Sequence, residues 1–318
     1  MRKKFLLLLA LLFLLAGVIF ILPAVRDHAP EQTKESATEE TESTTETESE
    51  TPTETETESE TETEETTEEE TEGPGDPVDR EKVETHLIIA SDTHYMSPSM
   101  TDYGAAFDSL VNSNDGKVIR YQPQLWQAFK SEVLAANPDA LILSGDLSLN
   151  GEKANHLEFS EKLHEIEEAG VPVYVIPGNH DINKPDAGEY FGDQRTDVES
   201  VTSEEFREIY ADFGYNEAKS GAPDSLSYLV ELNDTTWLMM LDTTVCEPEN
   251  EVYGEIKEET LEWMEECMKA AYAEGITVIP VGHHNLQRLS RVYVEECVIE
   301  NCDEVLELFE RYLTPVYF

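Results

Sequence analysis

Four short turns carry the side chains that could do chemistry. Leu87-Ile88-Ile89-Ala90 runs into Ser91-Asp92-Thr93-His94, and Leu141-Ile142-Leu143-Ser144 runs into Gly145-Asp146. Val173-Tyr174-Val175-Ile176-Pro177 runs into Gly178-Asn179-His180-Asp181, and Val278-Ile279-Pro280-Val281 into Gly282-His283-His284-Asn285. Asp-x-His and Gly-Asp are each common by chance, whereas Gly-Asn-His-Asp is expected about once in a hundred thousand positions. All four in order, each closing an apolar run, are more specific than any one. Taken singly, each has a bland alternative. Asp92 and His94 could form a polar turn with a helix cap. Gly145-Asp146 could be a strand-ending turn, and Asn179-His180 an Asx-turn. At the fourth turn either His283 or His284 could face a ligand.

Asp, Asn and His supply oxygen and imidazole nitrogen. No cysteine lies in the cluster, which disfavours structural zinc and iron–sulfur. The set suits manganese, iron or catalytic zinc. One carboxylate, Asp146, could bridge two ions. Two ions about 4 Å apart can activate a water and clamp a phosphoryl group in line. They would also invert the local charge, so that an acidic domain could take an anionic substrate.

The elements that must position these turns follow from periodicity. Residues 86–90, 140–144, 171–176, 228–232, 237–241 and 276–281 are short apolar runs rich in Val, Ile and Leu, as buried strands are. Residues 122–136, 154–169, 204–213, 257–273 and 303–313 have helical spacing. Thr202 and Glu205 predict a capping box. The alternation predicts an α/β domain with largely parallel pairing, and ligands then gather at the carboxyl ends of the strands. Trp126, Trp237 and Trp263 sit on apolar faces and are expected in the core. Glu152, Lys153 and His156 have two readings, a solvated helix start or a part of the motif that begins at Ser144.

Charge and the N-terminus bound the rest. The chain has 318 residues, 69 acidic against 21 basic, for a net charge of −48. That excludes a simple nucleic-acid binder, because a polyphosphate would be repelled. Four cysteines are too few for a disulfide-dense scaffold. Arg2, Lys3 and Lys4 precede an unbroken apolar run over residues 5–22, long enough to span a bilayer with its positive flank cytoplasmic. Residues 1–25 are therefore expected to be a signal anchor, with a cleaved signal peptide as the alternative. Residues 26–77 form an acidic Thr/Glu-rich linker. Residues 31–72 alone hold 19 glutamates against one lysine, a composition that cannot build a core and is expected to be disordered. Residues 78–318 form the folded domain. Residues 96–116 and 184–200 are expected to be recognition loops.

The segments Ser91-Asp92-Thr93-His94-Tyr95, Ser144-Gly145-Asp146-Leu147-Ser148-Leu149-Asn150-Gly151-Glu152-Lys153 and Ile176-Pro177-Gly178-Asn179-His180-Asp181 resemble the calcineurin-like metallophosphoesterase superfamily. They are most similar to its class III cyclic-nucleotide phosphodiesterase branch. The resemblance spans residues 85–318. It implies an α/β sandwich of two packed mixed β-sheets flanked by helices. It implies that Asp92 and His94 bind a first metal, that Asp146 bridges, and that Asn179 and His283 bind a second. His180 and Asp181 would be the catalytic pair, His180 as general acid to the leaving oxygen and Asp181 orienting its neighbours. The cofactors would be two divalent or trivalent ions of manganese, iron or zinc. The family pattern closes on a Gly-His-x-His motif after one more strand, whereas this sequence ends at Thr314-Pro315-Val316-Tyr317-Phe318. The domain is therefore expected to be truncated at its C-terminus, with weak metal binding and little turnover in this form.

The function expected from the sequence is a membrane-anchored, extracytoplasmic, dinuclear metal phosphoesterase. Its partner would be a small phosphate ester: a phosphodiester, cyclic nucleotides included, or a phosphomonoester. A nucleic-acid polymer is not expected. Two alternatives differ in kind: a secreted enzyme after signal-peptide cleavage, and a membrane-tethered, catalytically inactive binding module of the same fold.

Overall fold

The computed structural model of the chain describes residues 78–113, 117–287 and 297–318. The expected anchor and linker lie outside the described residues. Among those residues no helix is long and apolar enough to cross a membrane.

Two sheets stack face to face. The first is parallel throughout, in the order β1 (Leu87–Ala90), β2 (Ala140–Ser144), β3 (Val173–Ile176). The second contains β6 (Ser220–Gly221), β7 (Tyr228–Asn233), β8 (Thr236–Met240) and β9 (Thr277–Val281), in that order. There β6 and β7, and β7 and β8, pair antiparallel, while β8 and β9 pair parallel. The pairing is thus less parallel than strand–helix alternation predicts, because β7 and β8 are joined by the tight turn Asp234-Thr235 rather than by a helix. A separate hairpin, β4 (Gly188–Phe191) with β5 (Gln194–Asp197), lies within the expected recognition loop.

Period-two alternation decides what each face meets. On one face of β2, Ala140 and Ile142 pack with Tyr174, Ile176, Tyr228, Leu238 and Met240, which closes the space between the sheets. On the other face, Leu141 and Leu143 pack under α2 (Gln122–Ala136) and α3 (Lys153–Glu167) through Trp126, Val133, Phe159 and Leu163. The outer face of the second sheet is covered by α5 (Glu258–Glu274) and α6 (Cys302–Arg311), through Trp263, Met264, Met268, Val305 and Leu308. The result is a helix–sheet–sheet–helix sandwich. The buried residues of α5 recur as Thr260, Trp263, Met264, Met268 and Ala271, and the helix stops at Gly275 in the left-handed conformation.

Three expectations change. The stretch 204–213 is not one helix. It is α4 (Ser203–Ile209), opened by the Thr202–Glu205 capping box, followed by a π turn over Ala211–Tyr215. Gly214 breaks the helical path at φ 110°, where a side chain would strike the Tyr228 ring. The loop 96–116 contains a helix, α1 (Ala105–Ser113). Glu152 and His156 are not solvated, for both are fully buried. Glu152 accepts the Asn150 N–H and the Asn155 side-chain amide, and His156 bonds Tyr210 and the Asp181 carbonyl.

Candidate metal centre

The four turns meet at the carboxyl ends of β1, β2, β3 and β9. Backbone bonds knit the first two together: Asp92 N–H donates to Gly145 O at 3.1 Å and His94 N–H to Asp146 O at 2.8 Å. Asp92, His94 and Asp146 all hold positive φ, at 57°, 40° and 51°. A non-glycine residue in that region costs of order 1–3 kcal/mol, and such strain concentrates where a side chain must be aimed. The third turn closes on the second. His180 N–H donates to Asp146 Oδ1 at 2.8 Å, and a Cβ on Gly178 would lie 2.3 Å from Asp146 N, so only glycine allows the approach.

Asp181 binds this crossing from behind. It is fully buried, and its carboxylate accepts from Leu147 N, Ser148 N, Ser148 Oγ and Gly178 N at 2.8–3.0 Å. These contacts are with the Ser148 hydroxyl and the backbone of the turns that carry Asp146 and Asn179. Asp181 is a positioning residue.

The donor atoms form a chain centred on Asp146. His94 Nε2 lies 3.6 Å from Asp92 Oδ1 and 3.4 Å from Asp146 Oδ2. On the other side, His283 Nε2 lies 3.5 Å from Asp146 Oδ1 and 3.2 Å from Asn179 Oδ1. Ligand bonds of about 2.0–2.2 Å put neighbouring donors on one ion roughly 3–3.5 Å apart, which is the spacing seen. His283 Nδ1 donates to Ser144 O at 2.9 Å, which leaves Nε2 as the basic nitrogen facing Asp146. His284 turns away: it is buried, its Nδ1 meets Thr243 Oγ1 and its Nε2 meets Val252 O. Tyr317 OH donates to the His284 carbonyl at 2.7 Å, and Phe318 pairs by backbone with Pro280 and Gly282, so Tyr317 and Phe318 lie beside the end of β9.

Electrostatics fit a cation. Asp146 is only 3% exposed, and among the described residues its ion-pair partners are the two imidazoles alone. Burial pushes its carboxyl above the usual range, opposed by His283 and His94. A buried carboxylate of this kind needs compensating positive charge. Asp92 is held below the usual range, first by its contact with His94. Asp92, His94 and Asp146 would hold one ion; Asp146, Asn179 and His283 would hold another.

His180 is part of the cluster but not of the donor chain. Its Nδ1 lies 2.8 Å from Asn150 Oδ1, and its Nε2 lies 3.4 Å from Lys117 Nζ. Burial, then the charges of Lys117 and Lys184, pull it down to about 3. Lys117 and Asn150 carry no role in the sequence reading. Asn150 had a signal, its place four residues after Asp146. Lys117 had none, because a lone lysine in a loop looks like any surface charge.

The chain is similar to known proteins. Residues 85–313 match the family described as calcineurin-like phosphoesterase. A probable cyclic nucleotide phosphodiesterase from Xenorhabdus bovienii is 25% identical over 175 residues, covering 55% of this chain and 56% of that protein. The chain thus matches little more than half the length of that relative. The crystal structure of a dimetal phosphatase from Danio rerio superposes with a TM-score of 0.44 at 12% identity, covering 74% of this chain and 78% of the other. The family match takes in all four turns, and the chain belongs to the calcineurin-like phosphoesterase family.

Proposed function

We propose that the chain hydrolyses phosphoesters, diesters in preference to monoesters, with two metal ions held across Asp146. One observation carries the reading: the two oxygens of the Asp146 carboxylate face different histidines, Oδ2 toward His94 and Oδ1 toward His283. The ions would supply an activated water and neutralise the phosphoryl charge. The chain's own residues do the rest. Asn150 Oδ1 accepts the Nδ1 proton of His180, which turns Nε2 toward the substrate side. Lys117 Nζ shares that face, so the pair holds the proton that the leaving oxygen takes as its bond to phosphorus breaks. Water then restores it. The relative named as a probable cyclic nucleotide phosphodiesterase makes cyclic diesters the first substrates to try. The location rests on the sequence alone: residues 1–25 would anchor the chain and place the site outside the cytoplasm.

The test is hydrolysis of bis(4-nitrophenyl) phosphate by the purified full chain with Mn2+. Activity should vanish with a chelator, return with Mn2+, and fall about 100-fold or more in Asp146→Ala. Activity indifferent to both chelator and Asp146→Ala contradicts the reading.

A further inference from the structure

Glu152 holds the N-cap position of α3, where a glutamate would ordinarily be solvated. It is instead fully buried, and its side chain makes no bond to the helix it precedes. What offsets the burial is a set of N–H donors. Oε2 accepts from the Asn150 N–H at 2.9 Å and from the Asn155 side-chain amide at 2.7 Å. Oε1 faces the Gly188 N–H at 3.4 Å. A buried carboxylate is costly unless such donors satisfy it, so the three partners are held in place around it.

Each partner belongs to a different part of the site's surroundings. Asn150 carries the Oδ1 that lies 2.8 Å from His180 Nδ1. Asn155 accepts from the Ser97 N–H at 2.8 Å through its own Oδ1, which ties in the loop after β1. Gly188 opens β4, the first strand of the hairpin. The backbone beside Asn150 is closed as well. Gly151 sits at φ 72°, its N–H donates to Ser148 Oγ at 2.8 Å, and a Cβ there would lie 2.6 Å from Ser200 Oγ. Asn150 is thus fixed through Glu152 on one side and through Gly151 on the other.

We propose that Glu152 is a positioning residue for proton transfer to the leaving oxygen. It fixes Asn150, and Asn150 fixes the tautomer of His180 that turns Nε2 toward the substrate. The proposal rests on the phosphoesterase reading and extends it to the buried group two hydrogen bonds behind the imidazole.

Leaving groups of different basicity test it, because 4-nitrophenolate departs with little help whereas phenolate needs a proton. The substrates are methyl 4-nitrophenyl phosphate and methyl phenyl phosphate, each with the full chain and Mn2+. In Glu152→Met, kcat for the phenyl ester should fall about tenfold or more, while kcat for the 4-nitrophenyl ester changes by less than about threefold. Glu152→Gln, whose carbonyl oxygen can still accept from Asn150 and Asn155, should restore the phenyl ester to within about threefold of the parent. If Glu152→Met does not fold, Glu152→Asp takes its place with the same expectation, since its carboxylate stands one methylene short of the Asn150 N–H. Losses equal for the two esters, or no loss, overturn the positioning role and leave the phosphoesterase reading standing. If the parent cleaves neither ester, the phosphoesterase reading fails. In that case, or if only the 4-nitrophenyl ester is cleaved, the nitrogen NMR shifts of the His180 imidazole decide. A single tautomer in the parent and in Glu152→Gln, against a mixture in Glu152→Met or its replacement, supports the proposal. The same tautomer state in all of them overturns it.

Discussion

Lys117 Nζ lies 3.4 Å from His180 Nε2. The two groups come from a loop before α2 and from the turn after β3. A cation on one disfavours a cation on the other, so the pair holds one excess proton rather than two.

Removing the lysine charge should therefore raise the His180 pKa from its depressed value of about 3, since Lys117 is the largest charge lowering it after burial. Lys117→Met, followed by NMR titration of the imidazole, checks the direction. Phosphodiester turnover should fall by about 10- to 100-fold in the same variant. An unmoved His180 titration contradicts the pairing.

Gly178→Ala puts a methyl group 2.3 Å from Asp146 N and 2.4 Å from its Oδ1. Backbone cannot yield as a flexible side chain does, so Asp146 must shift. Mn2+ affinity should drop about tenfold or more. Gly221→Ala is the control, because its added carbon meets nothing nearer than 3.5 Å. Equal affinities in the two variants contradict the tight approach of the two turns.

Asp181→Asn replaces two carboxylate oxygens by one carbonyl and one amide donor. At least one of the N–H groups of Leu147, Ser148 and Gly178 is then left facing a donor. Hydrogen bonds to a charged group contribute about 1.5–3 kcal/mol each, so a loss of about 3 kcal/mol in urea unfolding is expected. A loss below about 0.5 kcal/mol would show that Asp181 does not hold the turns.

His156 gives the pH dependence. Burial holds its pKa below the ordinary 6.5 in the folded chain. Below pH 6.5 the unfolded chain takes up a proton that the folded chain refuses, so stability present above that pH is lost as pH falls. The loss is at most about 1.4 kcal/mol per pH unit for one group. Urea unfolding at pH 7.5 and 5.5 should show a steeper loss in the parent than in His156→Gln. Equal slopes would contradict the buried neutral imidazole.

The centre was legible in the sequence because its ligands sit at strand ends, where an apolar run announces the position of the next polar residue. Asp92, His94, Asp146, Asn179 and His283 all follow such runs, and the structure brings them together. The choice of His283 over His284 came from the resemblance alone, because the residues of the turn leave both open. It depends on the Ser144 carbonyl, which is 139 residues away. The β4–β5 hairpin was hidden for another reason. Gln194–Asp197 is polar and exposed throughout, so it shows no alternation; main-chain pairing and the Arg195 side chain, which donates to Asp186 O and Ala187 O, hold it. The end of α4 was missed because a glycine and a distant tyrosine, Gly214 and Tyr228, decide it together.

The most direct test of the central claim is electron paramagnetic resonance of the full chain titrated with Mn2+, with bound metal counted in parallel. The expected result is two ions per chain with a spin-coupled signal, and loss of the coupling in Asp146→Asn. A single uncoupled ion at saturation, or coupling that survives Asp146→Asn, would contradict a pair of metals joined by that carboxylate.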